Sequence, residues 1–321
     1  MRIGIIGQPC IDEIIHAANP SAVPKQALGG VLYSYAAMER LMRENGSKND
    51  SMVPLTWLSK QDRSFLESLL DKFTHLERSA GLWPTESQTN RVQLVYQENG
   101  ERTEHCPHIL PSLTDDQLTP ALLESLDGLF VNMISGFDVD IDTLETALHG
   151  AAKKPYVHID IHALVLGSLS ERDDRAPFGG GREPRGVKEW KRWLAVADSV
   201  QMNELEARWF ADPDIRSEPE LLKYILLSNQ FPKLRYLILT RAERGATLFD
   251  FENEMVYNAT PPSVEAVETT GSGDVFGSAF VFSILSDTRP EEALQKAVEM
   301  ASWNTTLRNI DLILDAPFFS S

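Results

Sequence analysis

The sequence predicts an α/β protein, a mainly parallel sheet sandwiched by helices with a small β lid set into it. Strand-type apolar runs alternate with amphipathic helix-type runs along nearly the whole chain, which requires crossover connections between parallel strands. One segment, TESQTNRVQLVYQENGERTEHCPHI, breaks that alternation with a period-two pattern on either side of Asn99-Gly100, a strong hairpin signal. A third stretch, VETTGSGDVFGSAFVF, sets a glycine turn and an aspartate ahead of a long apolar run, and it is where chemistry is to be sought.

The elements follow in order. RIGII is a strand, and Leu32, Tyr35, Ala36, Met38, Leu41 and Met42 then recur at helical spacing until Asn45-Gly46 stops them. SMVPLTWLS is strand-like and QDRSFLESLLDKF is an amphipathic helix. DGLFVNMI, DIDTLETALHGAAKK, PYVHIDIH, VKEWKRWLAVA, DSVQMN, ELLKYILLSN and LRYLILT continue the alternation. The chain reads as a single domain over 1–321, with the lid built from 13–27 and 84–109. SERDDRAPFGGGREPRG is a long charged, glycine-rich loop, of a length that is functional or disordered in a compact domain. In such sheets ligands sit beyond the carboxyl ends of the strands.

The bulk properties limit the function classes. The 321 residues are 42% hydrophobic and 24% charged, an ordinary globular balance. With 30 Lys+Arg against 47 Asp+Glu the net charge is −17, so the chain should repel nucleic acid and anionic membrane. The opening segment lacks the layout of a signal peptide and no run is long enough to span a bilayer, which reads as cytoplasmic. Cys10 and Cys106 form neither a disulfide framework nor a zinc pattern and read as small buried hydrophobes. No P-loop, no dinucleotide fingerprint and no His-Glu-x-x-His is present.

The stretch after Asp274 is apolar nearly all round, so it is a buried helix whose N-terminus should lie inside the protein. Its first amides need partners, and Gly271, Ser272 and Gly273 let the backbone curl so that these N–H groups converge on an anion. A carboxylate in the first turn is favoured by the helix dipole, and Asp274 could accept a proton from a hydroxyl attacking phosphorus. The plainer reading is that Thr270 or Asp274 caps the helix and the glycines make a tight turn.

ETTGSGD resembles the C-terminal signature of the ribokinase-like (PfkB) family of carbohydrate and nucleoside kinases, with Ser272 in the place of alanine. The resemblance covers nearly the full chain and implies the ribokinase-like fold. It makes Asp274 the catalytic base and Gly271, Ser272 and Gly273 the amides that stabilise the transferring γ-phosphoryl group. It implies ATP and Mg²⁺ as cofactors, with Asn203 and Glu206 organising the metal and phosphate through water. Thr240, Gly245 and Thr270 would lie along the nucleotide, beside Arg241, which could reach phosphate or point to solvent. Read bare, Asn203 is an N-cap and Glu206 an exposed helix acid.

At the front, the resemblance places Asp12 on sugar hydroxyls, and the Gly29-Gly30 pair lets substrate lie close to backbone. Ser34 stands where relatives bind substrate with asparagine, flanked by Tyr33 and Tyr35, which puts the identity of the acceptor in doubt. Glu268 lies near the loop that holds a monovalent cation in many relatives and leaves a K⁺ effect open. Arg172, Arg175, Arg182 and Arg185 of the long loop either cover an anionic substrate group or are solvated. His158, Asp160 and His162 share one face if HIDIH is a strand, as packed residues more readily than as metal ligands. The expectation is a kinase acting on a small-molecule sugar or nucleoside, with a homodimer through the lid plausible. The alternatives are a nucleoside kinase, or a non-catalytic metabolite sensor on a kinase fold.

Overall fold

The structure, a computed structural model, describes residues 1–16, 25–96, 102–165, 187, 189–212, 214–215 and 217–318. The hairpin turn at Asn99-Gly100 and the loop arginines at 172, 175, 182 and 185 lie outside these residues.

The strands are, in chain order, β1 (Arg2–Ile6), β2 (Pro9–His16), β3 (Lys25–Gly30), β4 (Ser51–Ser59), β5 (Leu82–Thr85), β6 (Asn90–Tyr96) and β7 (Arg102–His108). They continue with β8 (Gly128–Asn132), β9 (Tyr156–Asp160), β10 (Ser199–Asn203), β11 (Tyr236–Thr240), β12 (Ala246–Asp250) and β13 (Met255–Ala259). Among the described residues the main sheet runs β13-β12-β11-β10-β9-β8-β1-β4-β5. It is parallel from β5 to β11, with β12 and β13 as an antiparallel edge.

Both faces are buried, and the strands show it residue by residue. Ile3 and Ile5 of β1, with Tyr236 and Ile238 of β11, feed a core on one face. Ile6, Leu237 and Leu239 feed a second core on the other. This is the period-two alternation of a strand with apolar layers on both sides. Helices Leu32–Asn45, Ser272–Leu285 and Pro290–Asn304 cover the first face; Ile141–Gly150, Trp190–Val196 and Glu218–Ser228 cover the second.

The Ser272–Leu285 helix lies deep, as its composition requires. Phe280 meets Tyr236 edge-on at 6.1 Å and His158 at 5.7 Å. Gly277 lets it approach the sheet, since a Cβ there would stand 2.6 Å from the Phe130 ring. Each such buried aromatic contributes roughly 1.5–3 kcal/mol.

The small sheet differs from a simple antiparallel flap. Its order is β3-β2-β6-β7, and β2 pairs with β6 in parallel. β2 begins at Pro9 and β3 ends at Gly30, so Asp12 and the Gly29-Gly30 pair are part of this sheet. The proline and acids of PCIDEI hide that strand from composition, because two short strands pairing with distant residues need no local apolar excess. β5 and β13 were likewise unmarked. Cys10 is buried and takes a hydrogen bond from Asn90. No helix among the described residues is long and apolar enough to cross a membrane.

Candidate active site

Four parallel strands end at one edge, β10 and β11 running two residues past β8 and β9. Asn132 of β8 is in register with Asp160 of β9, and Asn203 of β10 with Thr240 of β11. Each closes an apolar strand with a polar residue at the carboxyl edge, where ligands of such sheets are found. The N-terminus of the Ser272–Leu285 helix points at this edge.

That helix starts at Gly271, which is left-handed at φ +77° and carries no side-chain cap, so neither Thr270 nor Asp274 acts as its N-cap. Thr270 instead donates both its amide and its hydroxyl to Glu268, at 3.0 and 2.7 Å. The turn is fastened from three sides. Asn304 donates to the Thr270 carbonyl at 3.1 Å, Gln201 donates to the Gly273 carbonyl at 3.1 Å, and the Tyr33 ring lies against Gly271. The Ser272 amide donates to the Thr269 carbonyl at 3.3 Å.

The expectation that this N-terminus is enclosed is corrected: Gly273 is exposed, and Gly271, Ser272 and Asp274 are partly exposed. The apolar residues that enclose the helix begin at Val275, and the turn before them is open to solvent. Gly273 has no positive φ, and a Cβ on it would meet Gln201 and Asp160 only at ordinary distances of 3.7 and 3.8 Å. Folding therefore does not require glycine at 273, whereas close approach of a ligand to its backbone would.

Asp274 accepts a hydrogen bond from Asn132 Nδ2, which also donates to Ser34 Oγ at 2.9 Å. Burial raises the Asp274 carboxyl to about 6, while the Asn132 hydrogen bond and the His162 ring pull it back. A carboxylate of that basicity suits proton acceptance near neutral pH. Asp160, almost fully buried, is also raised, first by burial and then by the charge of Glu206. It accepts from Gln201 at 2.9 Å and from the His162 amide at 3.0 Å.

Asn203 and Glu206 form a capping box on the short helix Glu204–Trp209: the Glu206 amide donates to Asn203 Oδ1 at 2.8 Å and the Asn203 amide to Glu206 Oε2 at 2.7 Å. Glu206 is buried, which corrects its reading as an exposed helix acid. Its Oε1 also meets Asn203 Nδ2 and His162 Nδ1, both at 2.6 Å. Both Glu206 oxygens are thus held by protein groups. No group of three or more metal-ligating side chains occurs among the described residues, and Mg²⁺ commonly arrives with substrate phosphates.

The other expected residues fall as follows. His162 leaves the strand, because β9 ends at Asp160 and His162 begins the short helix His162–Val165. His158 is buried between Phe130 and Phe280, bonded to Ser199, and burial pushes its ring down to about 3, so it is neutral. Arg241 neither points to solvent nor stands ready for phosphate: it pairs with Glu204 and, through both carboxylate oxygens at 2.7 Å, with Glu218. Gly245, at φ +87°, is required by the turn itself, since a Cβ would sit 1.9 Å from the Ala259 carbonyl.

At the front, Ser34 is fully buried behind Asp274, which corrects its expected contact with substrate. Gly29 makes room for protein as much as for substrate, its absent Cβ lying 2.6 Å from the Asp12 carboxylate. Gly30 turns the chain at φ +64°. Thr240 ends β11, its hydroxyl 3.5 Å from the Met202 carbonyl. Asn132, Gln201 and Tyr33 were missed; the signal that could have found Asn132 is a polar residue at the end of an otherwise apolar strand, and for Gln201 it is a polar side chain in the middle of a buried one.

A parallel sheet ending on a glycine turn and an aspartate at a helix N-terminus, with a small sheet beside it, is the ribokinase-like fold. Residues 181–315 match the model of the pfkB family carbohydrate kinases, as the ETTGSGD motif implied. The ribokinase of Thermotoga maritima has the same fold, with a TM-score of 0.69 and 16% identity over 97% of this chain and 95% of that one. So has a pyrophosphate-dependent kinase of the ribokinase family, solved with a pyrophosphate analog and myo-inositol, with a TM-score of 0.70 and 18% identity over 97% and 99% of the two chains. A putative 1-phosphofructokinase of Mycoplasma pneumoniae is 33% identical over 78 residues, 24% of this chain and 26% of that protein. The match thus spans about a quarter of the curated relative.

Proposed function

We propose that this protein is an ATP-dependent kinase that transfers the γ-phosphoryl group to a hydroxymethyl group of a sugar or sugar derivative. The observation that carries the reading is Asp274: a carboxylate of raised basicity, oriented by Asn132, beside a glycine that folding does not require, at the start of a long buried helix.

In this reading the acceptor lies between Asp12 and Asp274, and its hydroxyl oxygen forms the new bond to phosphorus as the bond to the β-phosphate oxygen breaks. The proton passes to Asp274. The N–H groups of Gly271 and Gly273 take charge on the transferring group, and that of Ser272 joins them on leaving the Thr269 carbonyl, while Gln201 and Asn304 hold the turn in place. Glu206 with Asn203 would hold Mg²⁺ through water, and the ion would neutralise the phosphates when bound. Thr240, Gly245 and Thr270 flank the nucleotide, and Arg241 supports that wall through Glu204 and Glu218. The small sheet, which carries Asp12, closes over the acceptor as a lid and keeps water from the phosphoryl group. A cytoplasmic setting, activation by K⁺ at the Glu268 loop and a dimer through the small sheet belong to the same proposal.

The test is ADP release from Mg-ATP over pentoses, hexoses, sugar phosphates, inositol and nucleosides, with phosphate release from pyrophosphate as a parallel donor assay. Turnover with a sugar that is lost in Asp274→Asn supports the reading. Turnover with nucleosides alone moves the acceptor class. Tight ATP binding with no turnover on any acceptor turns it toward a binding protein.

A further inference from the structure

Tyr33 is the second residue of the helix Leu32–Asn45 and is more than nine-tenths buried. Its ring lies flat on the glycine turn: a Cβ on Gly271 would stand 2.2 Å from both Cγ and Cδ1 and 2.6 Å from Cε1. Three carboxylates act on its phenol, those of Asp12, Asp274 and Glu268. Tyr33 thus stands where the front of the cleft, marked by Asp12, meets the base and the anion turn. Its hydroxyl makes no hydrogen bond among the described residues. Unlike the Tyr35 hydroxyl, which is buried without a partner, that of Tyr33 is open to solvent, so a ligand hydroxyl can take the place of water there. Burial first, and the three negative charges next, hold the phenol well above its ordinary range, so it stays protonated and able to donate.

Resting on the kinase reading above, we propose that Tyr33 is a specificity-determining residue of the acceptor site, its phenol hydrogen-bonding an acceptor hydroxyl next to the one that receives the phosphoryl group. The ligand class is a polyol or sugar with adjacent hydroxyls. An acceptor lacking the second hydroxyl would leave the phenol unpaired in the closed site, and sites of that kind reject such analogues strongly. Because the ring rests on Gly271, binding of the right acceptor also bears on the turn that holds the phosphoryl group.

The experiment is steady-state kinetics of the full chain and of Tyr33→Phe with Mg-ATP on D-ribose, D-fructose, D-fructose 6-phosphate, myo-inositol and adenosine. Each acceptor that turns over is then assayed in its deoxy forms. Phenylalanine keeps the ring on Gly271 and removes only the hydroxyl. The expected result is a rise of about tenfold in KM for the acceptor, the effect of one lost hydrogen bond, with KM for ATP and the melting temperature unchanged. One deoxy form should lose as much with the native chain and nothing further with the variant. An unchanged acceptor KM and an unchanged ranking of deoxy forms would overturn the proposal while leaving the kinase intact. A change in ATP affinity or stability in place of acceptor KM would reduce Tyr33 to packing. If the native chain turns over none of the five, the kinase reading fails first, and the inference with it.

Discussion

Replacing Asp274 by asparagine should abolish catalysis and stabilise the fold at the same time. The carboxyl rises from 3.8 to about 6 on folding, mainly because the charged form is desolvated. At about 1.4 kcal/mol per unit this sets a ceiling of roughly 3 kcal/mol on the cost of holding the charge. The side chain is partly exposed, and solvent screening brings the figure to about 1–2 kcal/mol. Asparagine fills the same volume, keeps an oxygen for Asn132 Nδ2 and carries no charge.

The sign follows from linkage. A folded-state pKa raised above the unfolded value favours the native fold when the group is protonated, so native stability falls as pH rises from about 4 to about 6. The variant has no such loss. It should therefore match the native protein at about pH 4 and exceed it by the full amount at about pH 8, with a melting temperature higher by about 2–5 °C. Turnover should drop by about 10²–10⁴, the range for loss of a general base. Calorimetry across pH, beside coupled ADP release, measures both. A variant no more stable at high pH, or a gain independent of pH, would refute the claim that Asp274 is held ionised at a cost in stability.

The remaining predictions concern its neighbours. For the native enzyme kcat/KM should fall below about pH 6 as Asp274 takes up a proton, and Asn132→Leu should move that limb to higher pH and lower kcat, since Asn132 is what holds the carboxyl down; a pH–rate profile of both proteins decides it. Gly271→Ala should cost about 1–2 kcal/mol for the left-handed backbone alone, with more from the Tyr33 ring, and should reduce turnover with it; urea unfolding and kinetics check both. Arg241→Ala should cost about 1–2 kcal/mol by leaving Glu218 unpaired and Glu204 with Arg244 alone, with KM for ATP unchanged; an intact stability with a rise of about tenfold in that KM would make Arg241 a phosphate ligand instead.

What the sequence determined by itself was periodic or local. Alternating apolar runs announced the parallel sheet, because strands buried on both faces and helices buried on one leave different spacings. The all-apolar stretch after Asp274 announced a central helix, and three consecutive small residues announced the turn before it. Asn203 was legible as an N-cap for the same reason, whereas Glu206 read as an exposed acid and its capping-box partnership with Asn203 came from the structure.

What only the tertiary structure decided were the partners of each polar group. Asn132 reaches Asp274 across 142 positions and Gln201 reaches Gly273 across 72, distances at which no spacing rule operates. Arg241 looked available to phosphate until Glu204 and Glu218 were brought beside it. Ser34 looked like a substrate contact until the helix rotated it behind the base, and Tyr33, one residue earlier, was turned toward the cleft. The physical reason is that a buried hydrogen-bonding group must find a partner wherever packing sets one, and packing is decided by the whole chain, whereas periodicity records only which side of an element faces inward.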